Sequence, residues 1–185
     1  MALFFALVSV RGYYHWQGRS WERGERHVGW TLLPKLQFLA APPVFAAILT
    51  YIFRPEWMSW ATILLPDSLR WIGAITGFAS LGLLIWVQHS LGKNFSSLLR
   101  IRSDHTLVTY GPYRWVRHPM YTTLLLLAGA ILLLTANWFI GGALILAILL
   151  VMIVRTPFEE KMMIDKFGDE YRWYMARTGK FMPFW

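Results

Sequence analysis

The stretch His105–Tyr121, HTLVTYGPYRWVRHPMY, is polar, aromatic and cationic, and it leads directly into a long apolar segment. No further charged residue occurs before Arg155, and Asn137-Trp138 lies near the middle of the uncharged run. One membrane-crossing helix needs about 20 residues, and the run is close to twice that length. It therefore predicts a tight helical hairpin with Pro119–Thr135 and Trp138–Val154 as its arms.

The composition is that of an integral membrane protein. Charged residues make up 15% of the 185-residue chain, whereas soluble domains average about 25%, and the mean hydropathy is +0.42. The 11 tryptophans agree with this class, because tryptophan favours the membrane–water interface. The net charge of +8 comes from short basic segments, which indicates anionic lipid and argues against nucleic acid as a partner. The absence of cysteine excludes thiolate catalysis, zinc–thiolate sites and disulfides.

Three more apolar segments bring the predicted number of membrane-crossing helices to about five. Residues 1–16 begin with MALFFALVSV and end in aromatic residues that suit the interface. Leu36–Phe53 and Trp71–Gly92 contain no Lys, Arg, Asp or Glu. Pro42-Pro43 is expected to kink the second span or delay its start, and Asp67 suits the N-cap of the third.

Lysine and arginine are distributed unevenly among the polar segments. Residues 11–35, 93–117 and 155–185 contain five, five and six of them, whereas residues 54–70 contain two and the 136–137 turn contains none. Because basic segments stay in the cytoplasm, this alternation predicts an outside N-terminus, a cytoplasmic C-terminus and an odd number of spans. The two largest polar segments then lie on the same cytoplasmic side.

The polar residues that follow the hairpin are expected to meet the loop that precedes it. Charges return at high density from Arg155, and the helical spacing predicts a cytoplasmic amphipathic helix interrupted at Gly168. The two arms are similar in length, so their outer ends reach one membrane surface. Arg117–Tyr121 and Arg155–Glu160 should therefore be neighbours, with Arg155 and Glu159 on one helix face.

Simpler roles are open for the same side chains. Arg114 and Arg117 could hold lipid phosphate, and Arg155 with Glu159 could be a structural ion pair. His105, His118, Glu159 and Glu160 are of residue types that can ligate a metal. No pair among them has the spacing of a recognised helical metal motif, so no metal is expected.

These motifs resemble those of the isoprenylcysteine carboxyl methyltransferase family, especially its short prokaryotic members. The likeness covers residues 65–183 and includes LGKNFS, HTLVTYGPYRWVRHPMY, RTPFEE and FGDEYRWYMARTGKFMP. It implies a single integral-membrane domain over residues 1–185, with variable N-terminal helices in residues 1–60 and a cofactor- and substrate-binding core in residues 65–183.

The resemblance also implies an activity and the residues that carry it. S-adenosylmethionine is the implied methyl donor, and the implied acceptor is lipophilic, first of all the α-carboxylate of a prenylated cysteine. Arg155 and Glu159 are assigned to catalysis on the substrate side. Cofactor binding is assigned to His105, Thr106, Leu107, Val108, Tyr113, His118, Pro119, Met120 and Tyr121, with the neighbouring Arg117 and Glu160. Thr123 stands where the family often has glycine, which is expected to narrow the space beside the cofactor.

Three alternatives remain open. A methyltransferase of the same superfamily could act on a phospholipid amine or a small thiol. The related NADPH-dependent sterol-type reductases and a non-enzymatic lipid-binding membrane protein are the other two. The expected partners are the lipophilic acceptor and membrane lipid, with no obligatory protein partner, and the active site is expected to face the cytoplasm.

Overall fold

The computed structural model describes residues 12–13, 33–94 and 105–183, and the regular elements in those ranges are helical. This confirms the predicted all-α class. The five longer helices are α1 (Leu33–Phe53), α2 (Asp67–Leu91), α3 (Pro119–Thr135), α4 (Trp138–Phe167) and α5 (Asp169–Arg177). Short 3-10 helices cover Pro55–Ala61, Gly92–Asn94 and Gly111–Arg114. The first predicted span, in residues 1–16, lies outside the described residues except for 12–13.

Helix α1 passes through its two prolines. It begins at Leu33, three residues before the predicted start, and includes Pro42 and Pro43. The delayed start predicted from these prolines is therefore wrong. Proline's fixed φ of about −65° is helical, so each ring removes one N–H bond without forcing a new helix start. The kink stays a prediction.

Helix α2 begins at Asp67, the residue predicted to precede it as the N-cap. Pro66 occupies the N-cap position with φ −64° and ψ 148°, and no side chain caps the helix. The prediction that Asp67 is the N-cap is thus wrong, because the extended backbone at Pro66 makes Asp67 the first helical residue. Its carboxylate still lies in the first turn, where it interacts favourably with the helix dipole.

Helices α2 and α3 pack closely at a small residue. A Cβ added at Gly73 would lie 2.7 Å from Leu133 Cβ and 3.1 Å from the Ala130 carbonyl oxygen. Leu81 of α2 and Leu127 of α3 form a buried cluster further along the same interface. The contact fixes α3 against α2 and so positions the loop that enters α3.

The predicted hairpin of α3 and α4 is confirmed, and its turn is held from outside. Ala136 adopts φ 47°, and the Asn137 side chain accepts a hydrogen bond from Ile140 N at 3.0 Å. Asn137 Nδ2 also donates to the Met58 carbonyl at 3.2 Å. The Pro55–Ala61 segment therefore braces the turn.

One of the two adjacent glycines in the second arm lies in close contact with α3. A Cβ at Gly141 would lie 2.7 Å from Leu132 Cα, whereas one at Gly142 would meet nothing within 4 Å. Gly141 therefore allows α3 and α4 to pack closely, whereas Gly142 lies outside this contact.

Helix α4 is continuous across the predicted boundary. It runs for 30 residues from Trp138 to Phe167, so the separation of a membrane arm ending at Val154 from an amphipathic helix is wrong. Pro157 lies inside it and removes only one backbone donor. The predicted interruption at Gly168 is confirmed, with φ 56°, a conformation that favours glycine.

The apolar character of the helices agrees with a membrane protein. In the described part of the chain, α2 and α4 are long and apolar enough to cross a membrane, and Pro42–Phe53 and α3 are shorter apolar helices. Trp57 and Trp60 are exposed. The rings of Trp60 and Trp138 pack beside the hairpin turn with their centroids 5.6 Å apart. Trp60 and Trp138 therefore lie at the end of the bundle opposite Arg155.

Candidate active site

The segment that precedes α3 is fastened to the C-terminal end of α2. Asn94 Nδ2 donates to Thr106 Oγ1, and Thr106 N donates to Asn94 Oδ1, each at 3.1 Å. Val108 and Tyr113 are buried and pack with Val87 of α2. The first half of the predicted cofactor segment therefore lies across the end of α2.

The turn in this loop requires glycine. Gly111 has φ 60°, and an added Cβ would lie 2.5 Å from Ser90 Oγ and 3.5 Å from Trp86 Nε1. The turn delivers Tyr113 into the interior, where its carbonyl accepts a hydrogen bond from the Tyr174 hydroxyl at 2.6 Å. Burial raises the pKa of Tyr113 well above its ordinary value, and Tyr174 and Glu159 add to the effect. Its hydroxyl is therefore neutral at physiological pH.

Arg117 joins three parts of the chain. Its Nε donates to Glu160 Oε1 at 3.2 Å, and its Nη1 donates to the carbonyls of Met175, at 2.9 Å, and of Thr178. These carbonyls lie at the C-terminal end of α5, where helix acceptors lack partners within the helix. The predicted role of Arg117 in cofactor binding stays a prediction.

His118 lies between two carboxylates. Its Nδ1 is 3.5 Å from Glu159 Oε2, and its Nε2 is 3.4 Å from Glu160 Oε1. The Tyr121 hydroxyl donates to Glu159 Oε1 at 3.1 Å. The expected proximity of Arg117–Tyr121 to the end of the hairpin's second arm is thus confirmed.

Arg155 and Glu159 form the expected pair on one face of α4. Arg155 Nε and Nη2 lie 3.2 Å and 3.0 Å from the same oxygen, Glu159 Oε1. That oxygen also accepts the bond from Tyr121. The Arg155 guanidinium is therefore oriented by the Glu159 carboxylate, which Tyr121 of α3 also contacts.

The C-terminal segment Thr178–Phe181 completes the site, and the sequence did not assign any of its residues a role. It runs parallel to the loop: Arg117 N donates to the Gly179 carbonyl at 2.8 Å, and His118 N to the Lys180 carbonyl at 3.1 Å. Phe181 packs against the His118 ring at 5.9 Å between centroids. The only signal for this segment was that the resemblance extends to residue 183.

Lys180 is the charged residue that this segment contributes. Its Nζ lies 3.1 Å from Glu160 Oε2. Glu160 thus accepts from Arg117 through one oxygen and from Lys180 through the other, with His118 beside the first. A lysine 20 positions beyond Glu160 has no periodic relation to it, so spacing alone could not have identified it.

The predicted site residues fall into two groups. In the first group, Arg117, His118 and Tyr121 contact Glu159 or Glu160. In the second, His105 packs against Phe167 at 6.2 Å between ring centroids. Phe167 is seven residues beyond Glu160, about 10 Å along the helix at about 1.5 Å per residue. Met120, half-buried at the start of α3, packs with Val108 and Tyr113; the remaining predicted residues are Thr106, which is exposed, Leu107, which is half-buried, and Pro119, which is buried.

Comparison with known families agrees with this arrangement. The family described as isoprenylcysteine carboxyl methyltransferase (ICMT) matches residues 74–165. The chain belongs to this family. The matched segment begins in α2, continues through the loop and the hairpin, and ends in α4. It includes Arg155, Glu159 and Glu160.

Two curated relatives share the name protein-S-isoprenylcysteine O-methyltransferase. The one from Tribolium castaneum is 34% identical over 95 residues, which cover 50% of this chain and 34% of the relative. The one from Saccharomyces cerevisiae is 34% identical over 110 residues, which cover 52% of this chain and 41% of the relative. The chain thus matches well under half the length of these two members of the isoprenylcysteine carboxyl methyltransferase family.

A solved structure has the same fold. The eukaryotic intramembrane Ras methyltransferase ICMT aligns with a TM-score of 0.61 at 24% sequence identity. The alignment covers 99% of this chain and 61% of that protein. At this identity the likeness concerns the fold of the family.

Proposed function

We propose that this protein transfers the methyl group of S-adenosylmethionine to the α-carboxylate of a prenylated cysteine and forms a methyl ester. The observation that carries the proposal is the convergence of Arg155, His118 and Tyr121 on Glu159. It joins the two motifs of the family likeness, RHPMY and the arginine with paired glutamates, into one polar cluster among apolar helices. Membership of the family supports the reaction class.

The residues at the site fit S-adenosylmethionine by their chemistry. Val108, Met120 and Tyr113 form an apolar and aromatic cluster, and side chains of this kind suit contact with a purine. The carboxylates of Glu159 and Glu160 are acceptors for an ammonium group, and aromatic rings interact favourably with cations such as a sulfonium. When bound, this molecule supplies an activated methyl group. The predicted narrowing by Thr123, whose hydroxyl donates to the Pro119 carbonyl at 2.8 Å, belongs to the same proposal.

The protein's own groups have to bind and orient the acceptor. Arg155 binds the acceptor carboxylate, since a guanidinium matches a carboxylate in shape and charge. Glu159 and Tyr121 hold Arg155 in place. An α-carboxyl group has a pKa of about 3.5 and is ionised at neutral pH, so no side chain has to remove a proton. This agrees with a site whose carboxylates are already paired with cations.

The proposed arrangement in the membrane has five spans, with the N-terminus outside and the C-terminus in the cytoplasm. The spans are the helix predicted in residues 1–16 and helices α1 to α4, and residues 65–183 form the core that binds cofactor and substrate. The basic loops and the apolar surfaces of α2 and α4 support this orientation. The site then faces the cytoplasm, and the acceptor's lipid chain remains in the bilayer.

The acceptor is tested by analysing the methylated product. The protein in lipid nanodiscs is incubated with methyl-labelled S-adenosylmethionine and one candidate acceptor at a time. The three acceptors are a farnesyl-cysteine analogue, a phospholipid amine and a small thiol. We expect the label in a base-labile ester of the farnesyl-cysteine carboxylate. Label on nitrogen or on a thiol sulfur would show that the acceptor is a phospholipid amine or a small thiol instead. A failure to bind S-adenosylmethionine would refute the proposed methyl transfer.

A further inference from the structure

Among the residues that the structure describes, the charges at the site do not balance. Arg117, Arg155 and Lys180 provide three positive charges against the two negative charges of Glu159 and Glu160, which leaves one positive charge with His118 outside the count. A partly enclosed site with surplus positive charge favours an anionic ligand. The three cations differ in how many N–H donors remain available to bind an anionic ligand.

Two of the three cations are already committed. Arg117 is 8% exposed in its side chain and uses its donors on Glu160 and on the end of α5. Arg155 is held by Glu159 and is assigned above to the acceptor carboxylate. Lys180 therefore remains for a second anionic group.

Lys180 is placed to bind such a group. Its side chain is 39% exposed, and its Nζ is positioned by Glu160 Oε2 at 3.1 Å. Its backbone is fixed, because its carbonyl accepts from His118 N. An ammonium group has three N–H donors, and in the described part of the chain Glu160 is the hydrogen-bonding partner of one. Since Arg117 also neutralises Glu160, the charge of Lys180 is only partly compensated.

The five side chains form a row with a cation at each end. His118 faces Glu159 through Nδ1 and Glu160 through Nε2, and these two nitrogens point away from each other. Arg155 lies beyond Glu159 and Lys180 lies beyond Glu160. The imidazole ring and the two carboxylates thus lie between the two cations in this series of contacts.

We propose that Lys180 is a binding residue that receives a ligand carboxylate at the second end of this row; this rests on the proposed methyl transfer. Two molecules of that reaction carry a carboxylate, the amino-acid part of the methyl donor and the acceptor. The chemistry at Lys180 is the same for both. Binding measurements on each molecule separate them.

The test uses the full-length protein in nanodiscs with Lys180→Met, Lys180→Gln and Lys180→Arg, and with Lys161→Met as the matched control because Lys161 is an exposed lysine of α4. Calorimetry gives the Kd of S-adenosylhomocysteine and of its decarboxylated analogue, and kinetics give the KM of the farnesyl-cysteine analogue. Loss of a hydrogen bond to a charged group corresponds to about a tenfold change or more. Lys180→Arg should retain most of the affinity.

The outcomes are separable. If the donor's carboxylate is bound, Lys180→Met and Lys180→Gln weaken S-adenosylhomocysteine about tenfold or more and leave the decarboxylated analogue unchanged. If the acceptor's is bound, the KM rises and the Kd stays constant. Equal effects on both cofactor analogues, or constants that match those of Lys161→Met, would overturn the proposal. Absence of S-adenosylhomocysteine binding by the unmodified protein would refute the methyl transfer itself.

Discussion

Arg117 Nε lies 3.2 Å from Glu160 Oε1, and the two side chains are 8% and 12% exposed. The pair ties the loop before α3 to α4, and the contacts of Arg117 with Met175 and Thr178 extend the tie to α5. Arg155 lies four residues before Glu159 on the same helix and makes a local pair instead. The two arginines should therefore respond differently to substitution.

Substituting Arg117→Ala should destabilise the protein. It removes the buried guanidinium that donates to Glu160 and to two carbonyls, and breaking a buried ion pair from one side costs about 3–5 kcal/mol. Thermal unfolding in detergent measures the effect. The control is Arg114→Ala, because Arg114 is exposed and stacks on Trp115 at 4.7 Å. Equal Tm values for the two variants would contradict the structural role of Arg117.

The two adjacent glycines of α4 provide a matched pair for the packing of the hairpin. Gly141→Ala should lower the free energy of unfolding by about 1–3 kcal/mol, because its Cβ would lie 2.7 Å from Leu132 Cα. Gly142→Ala meets nothing within 4 Å and should be neutral or stabilise by up to about 1 kcal/mol. Denaturant unfolding of both variants gives the comparison. The reverse order would show that α3 and α4 pack through another face.

The proposed orientation is accessible to cysteine labelling, because the chain contains no cysteine. Leu64, which is 98% exposed, lies on the side of the hairpin turn, and the exposed Glu170 lies on α5. A membrane-impermeant maleimide should label Leu64→Cys in intact bacterial spheroplasts and Glu170→Cys in inverted vesicles. Labelling of both positions from one side would contradict the five-span arrangement.

Alkaline pH should destabilise the contact between α5 and the loop. Burial is the main cause that raises the pKa of Tyr171 and of Tyr174 above the ordinary value of 10. A raised folded-state pKa gives stability that is present below pH 10 and is lost as the pH rises towards the folded-state value. We expect Tyr174→Phe to reduce the fall in Tm above pH 10, with exposed Tyr110→Phe as the control. The same fall in both variants would assign it to other groups.

The hairpin and the meeting of its ends could be predicted because both depend on length. An uncharged run of two membrane thicknesses must fold back, and equal arms bring Arg155 near His118. Glu159 then follows from helical spacing. These steps use only the thickness of a bilayer and the rise of a helix.

The bounds of α4 and the role of Arg117 depend on contacts that no local pattern records. A change from apolar to charged residues at Arg155 does not end a helix, since nothing there removes more than one backbone bond. Lys180 reaches the site through backbone pairing of Gly179 with Val116, a long-range contact. The bonds of Arg117 to the end of α5 could not be predicted without knowing where α5 ends.

The most direct test of the methyltransferase mechanism compares Arg155→Ala with the unmodified protein. Initial rates of base-labile methyl ester formation are measured with labelled S-adenosylmethionine and a farnesyl-cysteine analogue in nanodiscs. Arg54→Ala is the control, because Arg54 is an exposed arginine paired with Glu56 at 3.7 Å, away from the site. We predict that Arg155→Ala lowers kcat/KM by at least about 100-fold, the upper range for a hydrogen bond to a charged group, with the Tm and S-adenosylhomocysteine affinity retained. Ester formation at the unmodified rate in Arg155→Ala would contradict the mechanism.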